Sequence, residues 1–142
     1  MHDSIITHSP EETEQAGRSL ARILPTKALV CFSGALGSGK TTLLKGLIAE
    51  LTGCHPATVD SPTFTYLHPF DGKRLVYHFD LYRMTDYRDF LSKGFDEYLE
   101  MDATCCIEWA EKIGPILPSS RYQVKICYTG PKSRTIDMQR LS

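Results

Sequence analysis

The string Gly34-Ala35-Leu36-Gly37-Ser38-Gly39-Lys40-Thr41 constrains this chain more than any other feature. It matches G-x-x-x-x-G-K-[ST], a phosphate-binding loop that works between a strand and a helix. Both flanks are present. Ala28-Leu29-Val30-Cys31-Phe32 reads as a buried strand, and Leu43, Leu44, Leu47, Ile48 and Leu51 recur at helical spacing. Glycines let backbone N–H groups close around phosphate oxygens without side-chain clash. The helix that follows aims unpaired N–H groups and a partial positive charge at the same anion. Lys40 can reach terminal phosphates, and the Thr41 hydroxyl can bind magnesium. The strand and helix set this loop apart from a glycine-rich turn that binds nothing.

Around this centre the pattern predicts a mixed α/β fold. Ser9-Pro10-Glu11-Glu12 opens a helix with a capping serine, a proline at the first helical position and a glutamate completing a capping box. Ala16, Leu20, Ile23 and Leu24 give it an apolar stripe, and Pro25 ends it. Gly53 stops the helix after the loop. The runs 63–67 and 74–79 read as antiparallel strands joined by a turn at Asp71-Gly72. Tyr87, Phe90, Leu91, Tyr98 and Leu99 suggest one helix or two short ones, interrupted near Gly94. Residues 103–107 read as a buried strand. Tyr122, Val124, Ile126 and Tyr128 alternate onto one face, and a last strand lies around 135–138 beyond Gly130-Pro131. The expectation is one domain over residues 1–142, a sheet of parallel and antiparallel strands with flanking helices.

Composition bounds the function. With 142 residues, 42% of them hydrophobic, the chain can bury a real core. A net charge of −1 gives no broad nucleic-acid footprint. No apolar run is long enough to span a membrane, and the first residues lack the basic and apolar regions of a signal peptide. Cys31, Cys54, Cys105, Cys106 and Cys127 form no C-x-x-C pair and read as free thiols in a reducing compartment, so the expected location is cytoplasmic.

A bound nucleotide needs a metal and a group that positions the attacking oxygen. Acids at the ends of buried strands are the candidates. Asp80 closes the run 75–79 within His78-Phe79-Asp80-Leu81-Tyr82-Arg83, and Glu108 closes 104–107 and precedes Trp109, the only tryptophan. Either acid can hold magnesium, which takes one or two carboxylates plus phosphate oxygens and waters. His78, inside an apolar run, reads as a hydrogen-bonded core histidine, and Trp109 as core volume or, alternatively, as a residue at a nucleotide or partner surface. Tyr82 and Arg83 read as strand-end cover, or as groups that neutralise phosphate.

Four blocks together resemble the TsaE (YjeE) family. They are the phosphate loop through Thr42, Ser61-Pro62-Thr63-Phe64, His78-Phe79-Asp80-Leu81-Tyr82-Arg83, and Ile107-Glu108-Trp109. The resemblance implies a P-loop NTPase-like sandwich that binds ATP and Mg2+ and hydrolyses ATP slowly alone. It implies a supporting role for the partner proteins TsaD and TsaB, as TsaD places a threonylcarbamoyl group on adenosine beside the anticodon of tRNAs reading codons that begin with A. tRNA would then be met indirectly, through the complex. Carried over by position, Gly34, Ala35, Leu36, Gly37, Ser38, Gly39, Lys40, Thr41 and Thr42 hold phosphates, and Thr41 and Glu108 hold magnesium. Asp80, Lys40 and Thr42 serve hydrolysis, Ser61-Pro62-Thr63 forms a switch-like loop, and Thr13 and Arg134 lie on the adenine side. Two other readings of the loop stand beside this one. A small-molecule or nucleotide kinase would need an arginine lid, for which Arg83, Arg88, Arg121, Arg134 and Arg140 show no clustering in sequence. A nucleotide-gated binding module would use ATP only to order a surface.

Overall fold

The computed structural model describes residues 2–35, 38–59 and 66–142. Its elements run β1 (His2–Thr7), α1 (Pro10–Ile23), β2 (Ala28–Ser33), α2 (Lys40–Thr52), β3 (Leu67–Asp71), β4 (Leu75–Asp80), α3 (Tyr87–Ser92), β5 (Thr104–Glu108), β6 (Arg121–Tyr128) and β7 (Arg134–Leu141). Short 3₁₀ segments occupy Pro56–Thr58, Phe95–Glu100 and Ala110–Ile116. The seven strands form one sheet in the order β1-β7-β6-β2-β5-β4-β3. The middle four, β6-β2-β5-β4, are parallel, and both edges are closed by antiparallel partners. This is the mixed α/β sheet that the sequence predicts.

Alternation along the central strands sends side chains to two cores. Val30, Phe32, Val76, Cys106, Val124 and Ile126 face α1 and α2. Cys31, Tyr77, Phe79, Cys105 and Ile107 face α3 and the 3₁₀ segments beside it. Helix α2 is buried along most of its length, with Leu43, Leu44, Leu47 and Ile48 each 0–1% exposed. Burying each such side chain contributes roughly 1.5–3 kcal/mol before entropy is counted. Helix α1 is amphipathic by contrast and buries one stripe, Ala16, Gly17, Leu20 and Ala21. The two helices approach closely because Gly17 and Gly46 lie at their contact. A Cβ on Gly17 would collide with the carbonyl oxygen of Leu43, and one on Gly46 with that of Glu14.

Several elements differ from the sequence reading. Strand β1 carries only two isoleucines, and of these Ile5 packs on the core while Ile6 is exposed. Its existence depends on antiparallel pairing with β7, a partner more than 120 residues away in sequence, so no local pattern announces it. Strand β7 itself runs Arg134–Leu141, beyond the expected 135–138, paired along its whole length with β6. The hairpin at Asp71-Gly72 is present, and its first strand runs Leu67–Asp71, so it extends beyond Leu67, the end of the expected run 63–67. Residues 63–65 of that run lie outside the described residues. Helix α3 and the following 3₁₀ turn are split at Gly94, whose φ of 72° is left-handed, as the sequence suggests.

Candidate functional site

Strands β2, β4 and β5 run parallel, so their carboxyl ends meet at one edge of the sheet, the edge where ligands of open α/β sheets bind. The chain leaves β2 at Ser33 and enters the phosphate loop there. Residues Leu36 and Gly37 of the loop lie outside the described residues, as does Ser61-Pro62-Thr63-Phe64. Gly39 is left-handed, with φ 104°, and opens α2 with no side chain capping the helix. No acid sits in the first turn of α2. Its leading N–H groups therefore have neither a side-chain cap nor an acid of their own turn to satisfy them. Ser38 is fully buried, and its hydroxyl has no hydrogen-bond partner among the described residues.

The two acids come together. Asp80 and Glu108 are register partners at the ends of β4 and β5. Successive residues alternate across a strand, so His78 and Asp80 share the face that carries Val76, and Glu108 shares the face of Cys106. That face is the one covered by α2. Glu108 is 5% exposed, and its two oxygens have different neighbours. Oε2 lies 2.9 Å from Nε2 of His78, and Oε1 lies 3.9 Å from Nζ of Lys40. A buried carboxylate without such partners would be costly to keep charged. Asp80 is half-buried, and its Oδ1 accepts a 3.1 Å bond from the Tyr82 N–H. Burial, with the charge of Glu108 adding to it, raises its pKa above the ordinary aspartate value, against the lowering effects of that bond, His78 and Lys40.

Trp109 is only partly core. It adopts a left-handed φ of 62°, which turns the chain at the end of β5. Its ring sits 5.2 Å from Nζ of Lys40 and 5.0 Å from the ring of Tyr82, which is itself 59% exposed. Tryptophan thus packs against the core, as its size predicts, and also reaches the loop lysine. The sequence signal was available in its place directly after a strand-end acid. His78 is the hydrogen-bonded core histidine expected, and its partner is the strand-end glutamate.

Thr13 and Arg134 also come together. With Gly39, Thr42, His8 and Lys132 they line a cleft of about 480 Å³ on the other side of the loop. The Thr13 hydroxyl is buried against that of Thr7 at 2.8 Å. Arg134 does something sequence reasoning missed. Its Nε donates to the Ser38 carbonyl at 2.9 Å, and its guanidinium stacks 4.0 Å from the ring centre of Tyr128. Strand β7 thereby holds the phosphate loop from below. Thr41 lies in the exposed first turn of α2. Two of the other late arginines lie away from the loop. Arg121 and Arg140 line a separate cavity of about 310 Å³ at the starts of β2 and β6, the opposite edge of the sheet.

The model of the family described as "Threonylcarbamoyl adenosine biosynthesis protein TsaE" matches residues 7–136. The chain belongs to the TsaE family. Relatives agree with that. The tRNA threonylcarbamoyladenosine biosynthesis protein TsaE of Haemophilus influenzae is 35% identical over 89% of this chain and 84% of its own length. That of Bacillus subtilis is 39% identical over 92% of this chain and 80% of its own. The crystal structure of YdiB from Bacillus subtilis superposes with a TM-score of 0.80 at 30% identity, covering all of this chain and 87% of the other. Family membership of this TsaE protein therefore rests on sequence and on fold alike. Among the described residues no helix is long and apolar enough to cross a membrane.

Proposed function

We propose that this chain is the ATP-hydrolysing component of tRNA threonylcarbamoyladenosine biosynthesis, a single domain that works in the cytoplasm with TsaD and TsaB and meets tRNA through them. The observation that carries the ATPase reading is the pairing of an uncapped, acid-free helix N-terminus with a buried glutamate, held between Lys40 and His78, at the end of the adjacent parallel strand.

The residues fit a magnesium nucleotide. The orphan Ser38 hydroxyl and the open first turn of α2 are donors in want of an anion. Thr41 supplies a hydroxyl and Glu108 a carboxylate as oxygen donors. Among the described residues no group of three or more His, Cys, Asp or Glu is placed to hold a metal. Magnesium bound chiefly to phosphate and water needs no such cage. When bound, it neutralises phosphate charge and polarises the terminal phosphoryl group.

The chain's own residues then divide the work. The backbone of Gly34, Ala35, Leu36, Gly37, Ser38 and Gly39, with the N–H groups of Lys40, Thr41 and Thr42, cradles phosphates. Lys40 swings from Glu108 toward the terminal phosphate, leaving the carboxylate free to hold the metal with Thr41. Asp80, whose proton affinity burial raises, orients the attacking water and takes up its proton. Thr42 offers its hydroxyl from the same turn. Thr13 and Arg134 flank the cleft that takes the base, and Arg134 also braces the loop.

The test is reconstituted tRNA modification with TsaD, TsaB and this chain, alongside ATP hydrolysis. Lys40→Ala, shown by circular dichroism to be folded, should lose both activities. Normal modification by that folded, hydrolysis-dead chain would sink the proposal.

A further inference from the structure

Each oxygen of the Glu108 carboxylate faces a basic side chain, and the two contacts differ in kind. Lys40 is a flexible chain ending 3.9 Å from Oε1, a distance that leaves the oxygen free for another partner. His78 is a rigid ring, 1% exposed, with Nε2 at 2.9 Å from Oε2. His78 and Glu108 stand on neighbouring parallel strands, where His78 is in register with Cys106, two residues before the glutamate. The ring therefore reaches along the sheet toward the ligand edge to meet the carboxylate. Its other nitrogen, Nδ1, is buried with no hydrogen-bond partner among the described residues. A bare N–H there would be an unsatisfied donor, so the proton belongs on Nε2, from which it is donated to Glu108.

We infer that His78 is a positioning residue. It fixes the Glu108 carboxylate by Oε2, so that Oε1 alone is presented toward the loop for the metal ion. This rests on the reading of Glu108 as a metal ligand. The physical reason is pre-organisation. A free glutamate carboxylate rotates and would sample bidentate or turned-away orientations. A hydrogen bond from a packed ring removes that freedom before the metal arrives. Partners of this kind behind a metal ligand commonly govern metal affinity by roughly 10–100-fold.

Two amide substitutions separate positioning from packing. In His78→Gln the side-chain amide nitrogen sits at about the reach of Nε2 and can still donate to Oε2. In His78→Asn it falls short, near Nδ1. The readout is binding of a fluorescent ADP analogue with increasing Mg2+, followed through Trp109, whose ring lies beside Lys40. Glu108→Gln is measured in parallel. The expected result is a Mg2+ half-saturation raised roughly 10-fold or more in His78→Asn. It should be largely restored in His78→Gln, with metal-free nucleotide affinity unchanged in both. If both His78 variants titrate like the parent while Glu108→Gln does not, the positioning role is wrong and the metal reading stands. If Glu108→Gln also titrates like the parent, the metal reading falls and the positioning role falls with it. Should His78→Asn fail to fold, the unsubstituted chain still decides. Nitrogen NMR of its imidazole should show the proton on Nε2, with that signal moving in Glu108→Gln. A proton on Nδ1 would overturn the inference.

Discussion

Helices α1 and α2 lie against each other, yet their N-termini are finished in opposite ways. Helix α1 begins Ser9-Pro10-Glu11-Glu12. The Glu12 N–H donates to the Ser9 hydroxyl at 3.1 Å, and the Glu12 carboxylate takes the His8 N–H at 3.0 Å. That carboxylate reaches one residue further back than a standard capping box, which would bond the cap's own N–H. Two acids lie in this first turn. Helix α2 begins Gly39-Lys40-Thr41-Thr42, with no side-chain cap and no acid. Every feature that stabilises the start of α1 is missing from α2, although α2 is the more deeply buried helix. Capping is worth about 1 kcal/mol, and an acid in the first turn about 0.3–1 kcal/mol more. Helix α2 forgoes both and is held instead by its core leucines. The difference teaches that stability and ligand binding compete for the same N–H groups, and that here one helix serves each.

The comparison can be broken by making α2 resemble α1. Thr42 occupies the position in α2 that Glu12 has in α1. Thr42→Glu should raise the melting temperature slightly while weakening ATP binding. One charge at about 5 Å from a phosphate, at an effective dielectric near 20, costs about 3 kcal/mol, or roughly 100-fold in affinity. Titration calorimetry checks it, and undiminished binding would show that α2's open end is not where phosphate sits. The next effect concerns the contact between the helices. Gly46→Ala drives a methyl into the Glu14 carbonyl and should destabilise by about 1–3 kcal/mol in urea denaturation.

Ser9→Ala removes the cap of α1 and should cost about 1 kcal/mol. Denaturation that matches the parent would mean that the cap contributes nothing. The smallest effect is at Asp80. Its folded-state pKa is raised, so the ionised form is penalised in the folded protein above that pKa, and the penalty vanishes as pH falls below the unfolded value. Asp80→Asn should therefore raise thermal stability at pH 7 in metal-free buffer, with the gain shrinking as pH falls through the carboxylate range. A gain that grows on acidification would reverse this assignment.

Much of this was legible in sequence because it is local. The loop between Phe32 and Leu43, the cap at Ser9, the stop at Gly53 and the break at Gly94 each depend on residues within a turn or two. The two strand-end acids were legible for the same reason, and the sheet places them in register. What sequence could not supply depends on distant partners. Strand β1 exists through β7, the Arg134–Ser38 bond joins residues 96 positions apart, and the His78–Glu108 bond crosses between strands. Trp109 packs against the core as its size argues, but the left-handed backbone that also turns it toward Lys40 was not legible in sequence.

The most direct test of the central claim is an amide-resolved NMR titration with magnesium ATP. The account predicts the largest shifts and slowest exchange at the N–H groups of Ser38, Gly39, Lys40, Thr41 and Thr42, with those of Glu11 and Glu12 at the finished end of α1 little changed. Undisturbed amides at the start of α2 under saturating nucleotide would contradict it.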